Sequence, residues 1–481
     1  MSDSFYWYDL ETSGTDPKWD RIVQFAGCRT NLDLEPIDEP FVTYVRLPDD
    51  VLPNPDAALV TGITPQQTLD QGVYEWEAVD AIHRRLSVPG TCALGYNSLR
   101  FDDEFMRYAL YRNFRDPYTR EWQNGNSRWD LIDLVRATGA LRREGINWPT
   151  DDDGLPVYKL EALTAANGIE HGDAHDAMAD VRATLAMARL IKTHQPKLFE
   201  FHFKLRHKRQ VRKQLEPLGE KIAVHVSGMY PRERFGCAPV LSLCQHPTNT
   251  NAIIVVDLLG DIEPLLELDA EALAERLMGD DPAARPGLKE VRLNRCPFVA
   301  PLSVLGADNL DHLNIDLNRV REQAQRLQRA DLGRKISRVY ARRQSRFAAK
   351  GSAPDPEAAL YDGFLKDDDR SRCESFRSQV AEGDYDPLDF DDPRLFTLAE
   401  RLRARRFPES LAEDELQGWR TFVANKLYQA DAPWLTLPKL EARIAELRDT
   451  EGQATEVLDA LTTHAGALAA RYPRSLLDGG V

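Results

Sequence analysis

Phe5-Tyr6-Trp7-Tyr8-Asp9-Leu10-Glu11-Thr12 is the stretch on which the reading of this 481-residue chain depends. Its aromatic residues favour a β-strand, and apolar side chains run right up to an aspartate. Successive side chains of a strand alternate faces, so Asp9 and Glu11 project to the same side. Two carboxylates that close, with an apolar residue between them, are costly to keep ionised without a counter-charge. A hard divalent cation such as Mg²⁺ or Mn²⁺ answers that need, because it prefers carboxylate oxygen. A solvated acid pair on an edge strand is the competing reading, and for D-x-E alone it is the commoner one.

Outward from this strand, residues 21–30 and 40–45 read as two further strands. Their short connections predict an antiparallel meander. Thr61-Gly62-Ile63-Thr64-Pro65 reads as a turn into a helix, and residues 72–86 carry Val79, Ile82 and Leu86 at helical spacing. Residues 91–97 form a short apolar run that predicts a buried parallel strand. A helix opens at Phe101-Asp102-Asp103-Glu104-Phe105 and is expected to reach about residue 114. Acids at a helix N-terminus suit the macrodipole, which accounts for Asp103 and Glu104. Asp102 differs, because it sits just past the carboxyl end of a strand, where open α/β sheets place ligands. Trp129-Asp130-Leu131 reads as another helix start, with Asp130 as its N-cap. From Ala177 onward Val181, Leu185, Ala188 and Ile191 are helically spaced. His175 and Asp180 are five apart and converge only if His175 lies on the loop before that helix.

The bulk composition is that of an ordinary globular chain, 42% hydrophobic and 29% charged, long enough for two or three domains. No export signal or membrane-spanning run is read, and six cysteines without a C-x-x-C pair suggest reduced thiols in the cytoplasm. Net charge is 61 − 77 = −16, which alone argues against nucleic acid. Its distribution argues otherwise. Residues 201–215 hold Lys204, Arg206, Lys208, Arg209, Arg212 and Lys213 with no acid. Residues 319–350 hold eleven Lys or Arg, among them Arg334, Lys335 and Arg338, against Glu322 and Asp331.

The order D-x-E, then D, then D, with a histidine five before the last, resembles the DEDDh 3′→5′ exonucleases. The residues are Asp9 and Glu11; Asn97 with Phe101-Asp102; and His175 with Asp180. Beyond this core, Gly95-Tyr96-Asn97, Arg100-Phe101-Asp102-Asp103-Glu104, Asn126-Ser127-Arg128-Trp129-Asp130 and Glu144-Gly145-Ile146-Asn147-Trp148-Pro149 resemble the bacterial exonuclease I family. So do Asn167-Gly168-Ile169-Glu170-His171, Val224-His225-Val226-Ser227-Gly228-Met229 and Leu360-Tyr361-Asp362-Gly363-Phe364.

That resemblance implies an α/β chain: a ribonuclease-H-like nuclease domain (1–195), an SH3-like β-containing domain with basic helices (196–350) and a C-terminal all-α domain (357–481). Residues 351–354 read as a linker. It implies single-stranded DNA degraded to 5′-mononucleotides in repair and recombination. Asp9, Glu11, Asp102 and Asp180 would hold two Mg²⁺ ions, with Mn²⁺ as substitute, and His175 would take a proton from the attacking water. Arg128, Arg142, Lys204, Arg209, Arg334, Lys335 and Arg338 are the candidate DNA contacts. The family also binds the acidic, Phe-ended tail of the single-strand DNA-binding protein. Arg142 matches one contact for it, whereas residues 300–306 depart from the expected polar pattern. A monomer in the cytoplasm, away from membranes, is expected. The rival readings are an RNA-trimming exonuclease of the same chemistry and a spent nuclease fold serving as a single-strand-binding scaffold.

Overall fold

The opening stretch is the middle strand of a five-stranded sheet, with order β3-β2-β1-β4-β5. The strands are β1 (Ser4–Thr12), β2 (Ile22–Thr30), β3 (Phe41–Tyr44), β4 (Thr91–Gly95) and β5 (Ser127–Asp130). The computed structural model describes residues 3–172, 176–279, 287–330, 332–347, 355–449 and 454–477. His175 and the expected linker at 351–354 lie outside the described residues.

The first three strands form the expected antiparallel meander. β4 runs parallel to β1, and β5 parallel to β4, which gives the strand order of a ribonuclease-H-like fold. β5 corrects the sequence reading, which began a helix at Trp129. Trp129 and Asp130 end a strand instead, and the helix starts at Leu131 with Asp130 as its N-cap. A four-residue run shows no periodicity of its own; pairing of Cys92–Gly95 with Ser127–Asp130 makes it a strand.

The two faces of β1 are covered by different helices. Phe5 and Trp7 pack in one core with Met178, Val181 and Leu185 of the helix Ala177–His194. Tyr6, Tyr8 and Leu10 pack in another with Val79 and Ile82 of the helix Glu75–Leu86, and with Phe105 and Met106 of the helix Asp102–Arg112. Asp9 and Glu11 continue the odd-numbered face, toward the helix that carries Asp180.

The second sheet is antiparallel throughout, order β10-β6-β7-β8-β9: β6 (Ile222–Val226), β7 (Cys237–Gln245), β8 (Ala252–Asp257), β9 (Leu288–Arg292) and β10 (Phe298–Pro301). The basic stretch forms two helices, Leu317–Arg329 and Gly333–Phe347. From Pro356 onward the described residues form only helices.

The last region is clamped to the first by buried charges. Glu357, fully buried, takes Arg21 of β2's approach and also Arg401 (3.2 Å) and Arg405 (2.6 Å). Arg405 also grips Asp50 at 2.5 Å, and Arg401 grips Asp355 at 2.7 Å. No helix among the described residues is long and apolar enough to cross a membrane.

Candidate metal centre and active site

The site is assembled by three elements. β1 supplies Asp9 and Glu11 from one face; Asp9 is its one residue not wholly buried. Glu11 pairs with Gln24 across β1 and β2. The Gln24 side chain then fastens the next element: its Nε2 donates to Asp176 Oδ2 at 3.1 Å, and its Oε1 accepts from the Ala177 N–H at 3.1 Å. Asp176 caps the helix by accepting from the N–H groups of Met178 and Ala179. One turn later comes Asp180. Ligand oxygens of Asp9, Glu11 and Asp180 all lie within 4.8 Å of one another.

The third element is the helix Asp102–Arg112. Asp102 Oδ1 accepts a hydrogen bond from the backbone N–H of Leu10 at 3.1 Å, which places this carboxylate against the strand between Asp9 and Glu11. The expectation that Asp103 and Asp130 play other parts agrees with their partners. Asp103 is paired with Arg120 and Arg128. Asp130 accepts from the backbone N–H groups of Asn97, Leu99 and Ile132.

The electrostatics are those of an acid cluster awaiting positive charge. Burial pushes the Asp9 carboxyl well above its usual range, and Asp102, Asp180 and Asp176 push it further. Burial, then Asp9, Asp180 and Asp176, raises Glu11 to about 9. Burial also raises Asp102, partly offset by its own backbone N–H. Converging buried carboxylates raised by one another are a donor set that fits a hard divalent cation.

Asp9, Glu11, Asp102 and Asp180 are thus brought together; His175 lies outside the described residues. Two nearby side chains escaped the sequence reading. Asp176 was legible as an N-cap, an Asp directly before an apolar helix. His171, whose Nε2 lies 2.6 Å from Asp180 Oδ1, gave no signal beyond its place in a family motif.

The candidate DNA contacts fare unevenly. Arg128 is corrected: it is 9% exposed and its guanidinium is taken by Asp103 (2.5 Å) and Glu121 (3.0 Å), so no face is left for a phosphate. Lys335 donates to the Leu265 carbonyl at 2.8 Å and serves the packing of its own domain. Arg142 donates to the carbonyls of Leu141 and Val304 and to Asn309. Lys204, Arg209, Arg334 and Arg338 are exposed. Exposed aromatics add surface: Trp122 (65%), which the sequence reading passed over, and Tyr361 (54%) and Phe364 (82%), which it quoted only within a family motif. Tyr361 Oη donates to Glu104 Oε2 at 2.5 Å, on the helix that carries Asp102.

A sheet of this order with acids gathered on its middle strand defines a metal-dependent exonuclease of the DEDD class. Comparison agrees, since the exonuclease family model matches residues 6–188. The Exonuclease I SH3-like domain matches 206–342 and the Exonuclease I C-terminal domain 354–468. Exodeoxyribonuclease I of Haemophilus influenzae is 41% identical over 466 residues, 95% of this chain and 96% of that protein. The structure of E. coli Exonuclease I in complex with a dA16 oligonucleotide superposes with a TM-score of 0.89 at 40% identity, covering 97% of this chain and 100% of that one. An SSB/Exonuclease I structure in complex with the inhibitor CFAM gives 0.86 at 40% identity over 97% and 100% of the two chains. The chain belongs to the exonuclease I family.

Proposed function

We propose that this chain removes 5′-mononucleotides from the 3′ end of single-stranded DNA, in DNA repair and recombination. The observation that carries the reading is the convergence of Asp9, Glu11 and Asp180 within 4.8 Å, with Asp102 bonded to the strand between the first two. Asp9, Glu11 and Asp180 would hold one Mg²⁺, and Asp9 with Asp102 a second. When bound, such ions activate the attacking water and stabilise the leaving 3′ oxygen. The rest falls to the chain's own groups. His175, five residues before Asp180 in sequence, takes the water's proton, a role suited to an imidazole. By holding the ions, the four carboxylates would set where the scissile phosphate sits.

The strand path is read from surface chemistry. Exposed Lys204, Arg209, Arg334 and Arg338 offer phosphate contacts, and Trp122, Tyr361 and Phe364 offer faces for stacked bases. The three-part division at 1–195, 196–350 and 357–481 gives that path its walls. The SSB/Exonuclease I structure supports the single-strand DNA-binding protein as a partner. We take the enzyme to act as a monomer in the cytoplasm.

One gel decides the core of this. A 5′-labelled single strand should shorten in a ladder, and a 3′-labelled strand should release its label at once as mononucleotide, both only with Mg²⁺ or Mn²⁺. Release of 5′ label first, or faster cleavage of the matched RNA, would sink it.

A further inference from the structure

Asp180 sits on a helix, and its carboxylate, like those of Asp9 and Glu11, turns about its own side-chain bonds. Something must aim it. His171 lies just ahead of that helix, its side chain only 8% exposed, with Nε2 at 2.6 Å from Asp180 Oδ1. An ionised carboxylate only accepts, so the imidazole donates from Nε2. Its other nitrogen, Nδ1, faces Thr164 Oγ1 at 3.2 Å. Thr164 is fully buried in the helix Leu160–Ala166, its hydroxyl also within reach of the Leu160 (3.0 Å) and Glu161 (2.9 Å) carbonyls. The chain Thr164–His171–Asp180 therefore ties the ligand-bearing helix to a neighbouring helix through one imidazole ring.

We propose that His171 is a positioning residue for metal binding: it holds one oxygen of Asp180 so that the remaining lone pairs face the cation. It neither touches the scissile phosphate nor moves the water's proton. Partners that orient ligating carboxylates commonly set metal affinity as strongly as this requires. The proposal rests on Asp180 being a metal ligand, as set out under the function above.

The test is Mn²⁺ binding by the full chain without DNA, followed by electron paramagnetic resonance, alongside activity against Mn²⁺ concentration. His171→Ala should weaken Mn²⁺ by about 10–100-fold. Its lost activity should return as Mn²⁺ is raised, so the metal requirement rises while kcat at saturation holds. His171→Gln, whose amide N–H can still reach Asp180, should recover most of the affinity, and Thr164→Val should lose only part. Should His171→Ala fold poorly by circular dichroism, the latter two variants carry the comparison. Asp180→Asn is the control for the underlying reading: if it binds Mn²⁺ normally, Asp180 is no ligand and both ideas fall. If Asp180→Asn loses Mn²⁺ while the His171 variants bind it normally, only the positioning role is overturned. A fall in kcat at saturating Mn²⁺ with affinity unchanged would overturn it too, and would make His171 a proton carrier.

Discussion

Asp102 and Asp103 are consecutive residues at the start of one helix, and they meet opposite partners across β1. Asp102 Oδ1 accepts from the Leu10 backbone N–H at 3.1 Å and lies among carboxylates. Asp103 accepts from Tyr8 Oη at 2.7 Å and from two guanidiniums, Arg120 at 2.7 Å and Arg128 at 2.5 Å. Burial would raise both, but Arg128, Arg120 and Arg107 hold Asp103 well below the usual carboxylate range. One acid is left for a cation; the other is spent on the core.

Asparagine at each position should therefore separate the two roles. Asp103→Asn leaves the buried Arg120 guanidinium without its counter-charge and Arg128 with Glu121 alone, and should destabilise the fold by about 3–5 kcal/mol in urea unfolding. Asp102→Asn should leave stability unchanged or higher, since it removes an unpaired buried carboxylate, while turnover collapses. Equal stability losses at both positions would refute the distinction.

Asp9→Asn should abolish turnover, because a neutral amide is a poor ligand for a divalent cation. Single-strand binding should persist, as the proposed phosphate contacts lie elsewhere. The rise in Tm that Mg²⁺ confers on the native protein by binding only the folded state should shrink or vanish. Appreciable residual activity in Mg²⁺ would remove Asp9 from the ligand set.

His175→Ala should lower kcat by roughly 10²–10⁴, the usual share of a positioned base, with Mn²⁺ affinity little changed. A collapse of metal binding would instead make His175 a ligand.

Acid should loosen the clamp around Glu357. Despite burial, Arg405 and Lys426 hold Asp50 at about 2, and Arg405, Arg21, Lys426 and Arg401 hold Glu357 well below its ordinary value. Folded values below the unfolded ones mean stability that is full above the ordinary 3.8 and 4.5 and is lost as pH falls from there toward 2. Limited proteolysis across that window should free the C-terminal helices before the nuclease domain is cut. Glu357→Gln should shift the transition to higher pH.

Charge reversal at Arg334 and Arg338 should weaken strand binding and flatten its salt dependence by about 0.7 log units per lost phosphate contact. Lys335 is left out, because its ammonium is engaged by the Leu265 carbonyl. An unchanged salt slope would mean that these arginines are merely solvated.

What the sequence by itself determined was local or ordered along the chain. Period-two alternation put Asp9 and Glu11 on one face, and helical spacing after Ala177 put Asp180 in a first turn. Resemblance to the family's block of Asn and Phe-Asp chose Asp102 over Asp103. Composition alone marked the basic stripes. What only the tertiary structure decided depends on partners far apart in sequence. β5 exists because β4 offers it a ladder. Arg128 reads as a surface cation until Asp103 and Glu121 are seen to bury it. His171 is silent until the fold sets it 2.6 Å from Asp180, and Glu357 until Arg21 closes on it from 336 residues away. Periodicity reports which way a side chain points; only packing decides what it meets there, and a buried charge is settled by whatever that turns out to be.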